Sequence, residues 1–167
     1  MLHQVSATFG SRDMLDGIIA QNPDRQLVLM ADSGGDEGLQ LVDVSGQPSV
    51  FKSNLDYQVQ LHQGSQQWQG FFNFNYFTLD PDAAKVFNAK ANRFASNGLP
   101  SGMTAFYVLT KQKSANEYVL LTIWADSQAY SLWRHSPAFA PFDVYSTSAN
   151  HFHAASYQQV KAEKDQH

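Results

Sequence analysis

The chain contains no cysteine. That excludes disulfides, thiolate nucleophiles, iron–sulfur clusters and Cys-ligated zinc, and it is compatible with a reducing compartment. Basic residues are few: 11 Lys and Arg stand against 15 Asp and Glu, for a net charge of −4 and no basic block. Nucleic acid is therefore not expected as a partner, because phosphate neutralisation needs clustered cations. No stretch carries the long apolar run of a membrane span. The opening "MLHQVSATFG" lacks the basic start and apolar run of a signal peptide, so a cytoplasmic protein is expected. The turn-like "SGGDEG" (33–38) lacks the Lys-Ser/Thr pair of a phosphate loop. No Ser-His-Asp constellation emerges from the spacing. Aromatic residues, by contrast, are plentiful at 13% of the chain. They are material for a packed core or for a pocket that holds a flat ligand.

Periodicity and capping residues divide the chain into elements. Residues 5–9 read as a strand, and Ser11 is placed to cap a helix with Leu15, Ile18 and Ile19 as its apolar stripe. Residues 25–32 and 39–44 read as strands joined by the turn at 33–38, and "SGQP" (45–48) as a further turn. In "SNLDYQVQLH" (53–62), Leu55, Val59 and His62 fall at helical spacing. The polar "GSQQWQG" (64–70) reads as a link between halves 1–66 and 67–167. Beyond it, a strand over 70–79 precedes a helix capped by Asp80 with Pro81 at its first position. Ala83, Phe87, Ala91 and Phe94 form one face of that helix, and "SNGLPSG" (96–102) stops it. Strands are expected at 103–110 and 117–126. Asp126 caps a second helix with Ala129, Tyr130 and Trp133 on one face, Ser136-Pro137 offers another cap and start, and 151–161 reads as a last strand. Each half thus approximates β-α-β-β-α, with a final strand added to the second. That is an α+β, ferredoxin-like plan used twice, with antiparallel sheets and helices on the outside.

"GFFNFNYFTLDPD" (70–82) poses a specific problem. Strand alternation puts Phe71, Asn73, Asn75, Phe77 and Leu79 on one face and Phe72, Phe74, Tyr76 and Thr78 on the other. A buried amide costs a few kcal/mol unless it is hydrogen-bonded. Either the two amides satisfy structural partners, or that face lines a pocket. "NHFHAASY" (150–157) would place His151 and His153 on one strand face, a weak metal-site pattern without a third ligand.

"LLTIWADSQAYSLWRHSPAF" (120–139) resembles the signature of the antibiotic biosynthesis monooxygenase (ABM) superfamily, through a W-x-x-S-x-x-F pattern at Trp133, Ser136 and Phe139. The haem-degrading IsdG-type branch is the nearest likeness. The length and two-part layout are similar to HmoB-type haem monooxygenases and TRAP-type signalling proteins, in which a divergent N-terminal half precedes the ABM domain. The resemblance implies a dimeric-α/β-barrel fold and a haem-degrading monooxygenase that opens the porphyrin and releases iron. Asn75 would orient bound oxygen and Trp133 would press on the macrocycle. Phe71, Phe77 and Phe139 would wall the pocket, and Arg93 would meet a propionate. The family's iron-binding His falls ten residues after the Trp, where this chain has Asp143. Carboxylate is not a usual axial ligand of haem. Two alternatives stay open: a non-catalytic stress or signalling protein of the same fold, and a cofactor-independent ABM oxygenase acting on an aromatic substrate. The expected partner is a small molecule, haem or an aromatic compound. The repeat implies a monomer that acts as an internal pseudo-dimer.

Overall fold

The computed structural model describes residues 2–33, 38–52, 54–114 and 116–160. The chain runs β1 (Gln4–Phe9), α1 (Arg12–Gln21), β2 (Leu27–Asp32), β3 (Leu39–Asp43) and β4 (Leu55–Gly64). The second half runs β5 (Phe71–Thr78), α2 (Pro81–Ser96), β6 (Met103–Lys111), β7 (Glu117–Trp124), α3 (Ser127–Arg134), a 3-10 turn at Pro137–Phe139, α4 (Ala140–Asp143) and β8 (His153–Gln159). The helix starts obey their caps. Ser11 Oγ accepts from Met14 N, Asp80 Oδ1 from Ala83 N and Asp126 Oδ1 from Ala129 N, at 3.2, 2.8 and 2.9 Å. Ser136 departs from its expected role. Its hydroxyl donates back to Trp133 O at 2.7 Å, so it ties off α3 instead of capping the 3-10 turn at Pro137–Phe139.

All eight strands close one antiparallel barrel in the order β1-β3-β2-β8-β5-β7-β6-β4. Within it, β4-β1-β3-β2 and β8-β5-β7-β6 each have the 4-1-3-2 order of a ferredoxin-like sheet. The first half reaches that order without a second helix. The segment read as helical, 53–62, is strand β4 from Leu55 onward, and Ser53 lies outside the described residues. A spacing of four is also two strand periods, and Leu55, Tyr57 and Val59 all turn to the barrel interior. β4 then pairs with both β1 and β6, and so joins the halves. β8 closes the other seam, between β2 and β5. The turn expected at 33–38 falls largely on residues 34–37, outside the described set, as does the end of the last strand at 161.

The barrel interior holds Val5, Met30, Phe72, Phe74, Tyr107, Leu121 and Ile123. Burying a side chain of this size contributes roughly 1.5–3 kcal/mol. Trp68 fills one end: its Nε1 donates to Tyr107 Oη at 3.2 Å, and its ring lies 6.0 Å from that of Phe72. The polar-looking link therefore contributes a buried plug. α1 covers the outer face of the first half through Leu15, packed on Leu29 and Leu41. α2, α3 and α4 cover the outer face of the second half through Phe87, Ala91, Trp133 and Phe142. Among the described residues no helix is long and apolar enough to cross a membrane.

Candidate functional site

The layer between β5–β8 and the helices of the second half gathers most of the residues singled out from the sequence. Phe71, Phe77 and Leu79 of β5 face it, as alternation requires, and Asn73 and Asn75 lie buried between them at 2% and 4% exposure. The amides are linked in series. Asn75 Nδ2 donates to Asn73 Oδ1 at 2.6 Å and to Leu120 O at 3.3 Å, and Asn73 Nδ2 donates to Ser156 Oγ at 2.9 Å. The structure thus satisfies the donors of both amides internally. Among the described residues, no donor reaches Asn75 Oδ1.

Trp133 enters the same layer from α3. It is 4% exposed and packs on Phe94, Trp124, Phe139 and Phe142, with ring centroids 4.8–6.5 Å apart. Its Nε1 is buried and has no hydrogen-bond partner. Trp124, its neighbour on β7, has its own Nε1 satisfied by Thr122 Oγ1 at 2.8 Å. A buried N–H without an acceptor costs about 1–3 kcal/mol. Trp133 is therefore the one indole here that holds a donor in reserve.

Phe139 and Phe77 sit in this layer, Phe139 edge-on to Trp133 and Phe77 against Phe87 and Tyr145. Phe71 packs on Tyr130 at its margin. Arg93 is exposed on α2. It borders a groove of about 460 Å³ with Lys90, Leu99, Pro141, Phe94 and Phe142. Phe94 and Phe142 form the floor of this groove and at the same time pack on Trp133. Lys90, one turn before Arg93, was not singled out by any motif. It holds Pro141 O at 3.2 Å and lies 5.0 Å over the ring of Tyr145.

Asp143 does not join the layer. It is exposed at the end of α4, with Oδ1 3.6 Å from Arg134 Nη1, and Arg134 in turn stacks 4.3 Å over Phe139. No described histidine is buried in the layer either. His135 ends α3, its Nδ1 within 2.8 Å of Ser131 O. His151 is not on a strand face with His153: it precedes β8 in a left-handed conformation, φ 54°, beside Thr78 Oγ1. The donor set around Asn75 and Trp133 consists of amides, one indole N–H and aromatic rings. Such a set does not fit a haem iron that needs an axial side-chain ligand. Amides, an indole N–H and aromatic rings are the kinds of group that hold a flat organic molecule with polar edges.

Comparison with known proteins agrees with this architecture. A major regulator of staphylococcal pathogenesis superposes with a TM-score of 0.79 at 20% identity, covering 95% of this chain and 99% of that one. A ferredoxin-fold protein from Listeria monocytogenes related to antibiotic biosynthesis monooxygenases does so at 0.79 and 16% identity, covering 97% of each. The haem-degrading enzyme LmHde from Listeria monocytogenes gives 0.72 at 18% identity, covering 93% of this chain and 98% of its own. At such identities the likeness establishes a shared fold. The family model of antibiotic biosynthesis monooxygenases (ABM) matches residues 70–143, the stretch from β5 to the end of α4.

Proposed function

We propose that the ABM domain is an oxygenase that takes a flat aromatic substrate in the layer between its sheet and helices and supplies no iron ligand of its own. One observation carries this reading: the Trp133 N–H is buried without an acceptor. A phenolate oxygen would accept from Trp133, and Asn75 Oδ1, which no described donor reaches, would accept from a second, hydrogen-bearing group of the substrate. Lys90 and Arg93 stand at the rim of the adjoining groove and would draw in an anionic substrate. Entry requires Phe94 and Phe142 to swing aside, because they separate the groove from Trp133. The chemistry balances without an outside reductant. An activated ring methylene loses two hydrogens and gains one oxygen atom of O₂, and the other oxygen leaves as water. The barrel is closed within one chain, so we propose that it works as a monomer, and light scattering tests that.

Haem degradation is the second reading. Asn75 and Trp133 share one layer, and LmHde, a haem-degrading enzyme, shares the fold. The exposed Asp143 stands against it. One set of assays separates the readings: oxygen uptake with anthrone as the substrate, and haemin titration of the native protein and of Asp143→His. Uptake that falls at least tenfold in Trp133→Phe supports the oxygenase. Saturable one-to-one haemin binding by the native protein, with bleaching under ascorbate and oxygen, would transfer the assignment to haem. Neither activity would leave a binding or regulatory protein of this fold.

A further inference from the structure

The end of the barrel opposite Trp68 holds a pocket of about 400 Å³ that shares none of the groups proposed for substrate binding, apart from the ring of Phe77 in its wall. Three phenols line it from three strands: Tyr57 of β4, Tyr76 of β5 and Tyr157 of β8. Tyr57 and Tyr157 are 8% and 7% exposed, and the three hydroxyls open onto the pocket instead of being sealed in the core. Phenol hydroxyls that converge on one pocket are available to a ligand as a set of polar anchors. Burial pushes Tyr57 up to about 12, with the Glu117 carboxylate and Tyr157 adding to the effect. Burial likewise pushes Tyr76 and Tyr157 up, helped by Tyr57 and Tyr157 for the first and by Asp32 for the second. All three are therefore neutral donors near neutral pH.

The geometry also selects the ligand class. Tyr76 has two nearly parallel ring neighbours, Phe74 at 6.1 Å and His153 at 5.5 Å, which crowd the ring face that a cation would need. The charges in the wall are Lys111 and Glu117, paired at 3.7 Å, so neither sign of ligand charge is favoured. The remaining walls, such as Phe9, Leu55 and Val119, are apolar.

We propose that this barrel mouth is a second binding site, for a flat uncharged aromatic molecule with a carbonyl that accepts from the phenols. A pocket of this volume suits a compound of about two fused rings. The test uses the full chain and calorimetric titration with 2-acetonaphthone, beside 2-naphthoate and tetramethylammonium. Saturable one-to-one binding of the ketone is expected, with at least tenfold weaker binding of the two ions. Tyr57→Phe/Tyr157→Phe keeps both rings and removes two hydroxyls, and should weaken the ketone at least tenfold. Trp133→Phe should leave that affinity unchanged, and the double tyrosine variant should leave oxygen uptake in the ABM layer unchanged. The proposal is overturned if the ketone does not saturate, if either ion binds as tightly, or if the tyrosine variant binds like the native chain. It is also overturned if Trp133→Phe abolishes binding, which would place the ketone in the ABM layer.

Discussion

The two asparagines inside β5 allow a quantitative test of how the ABM layer is held together. In Asn75→Leu, Asn73 Oδ1 loses the donor that reaches it at 2.6 Å and stays buried. An acceptor stranded in this way costs about 1–3 kcal/mol, so a loss of about 2 kcal/mol is expected. In Asn73→Leu, Asn75 Nδ2 keeps its longer bond to Leu120 O, and Ser156 Oγ, only part-buried, loses a donor. The expected loss is about 1 kcal/mol. In the double variant both ends of the shared bond leave together, and no carbonyl is stranded. Its cost should fall short of the sum by about 1.5 kcal/mol, far beyond the additivity expected of independent sites. Urea unfolding of the four proteins measures this directly. For a chain of this size the coupling corresponds to roughly 3–6 °C in melting temperature. Costs that add to within about 0.5 kcal/mol would refute the serial linkage of the amides. Binding separates roles that stability cannot: Asn75→Leu should abolish oxygen uptake, while Asn73→Leu should only reduce it.

Raising the pH should destabilise the fold above pH 10. The unfolded chain releases the Tyr57 proton near its ordinary value of 10, whereas the folded state keeps it to about 12, so stability is intact below pH 10 and falls by about 2–3 kcal/mol by pH 12 from this residue alone. Urea titrations at pH 9 to 12 should show that slope flattened in Tyr57→Phe. Arg25→Gln should cost about 3 kcal/mol, because it strands Asp43, 2% exposed, whose carboxylate lies 2.8 Å from Arg25 Nη1. Thermal melts of Arg25→Met/Asp43→Leu should recover most of that loss. Gly102→Ala should cost about 2–4 kcal/mol, since φ is +86° and a new Cβ would meet Ala129 Cβ at 2.4 Å. The displaced α3 should register as a changed Trp133 fluorescence.

The elements with strong local signals were legible in the sequence. Asp80-Pro81 and Asp126 announce their helices through side chains that bond within three residues, so no tertiary information is required. The alternation of β5 is carried by its own residues and correctly paired Asn75 with the helix-facing layer. β4 was not legible. Its identity depends on pairing with β6, fifty residues away, and its apolar spacing suits either structure. Trp68 was hidden for the same reason: its partner Tyr107 lies in another strand. At Asp143 the residue type already told against an axial ligand, and the structure adds that its carboxylate turns to Arg134. The cluster of Tyr57, Tyr76 and Tyr157 was beyond reach, because only closure of the barrel brings three distant strands to one mouth.

The two seams of the barrel are unequal. β4 and β6 pair over seven residues, with one register shift between Val59 and Leu61, whereas β2 and β8 meet over three, Met30 with Gln159 to Asp32 with Tyr157. Closure is all that keeps sheet edges out of solvent, so the weaker seam sets where the ring breathes. Amides along β2 and β8 should exchange with solvent sooner than those along β4 and β6. Because Tyr157 belongs to the short seam, each opening also loosens one wall of the tyrosine pocket, and the staves of the barrel double as its door.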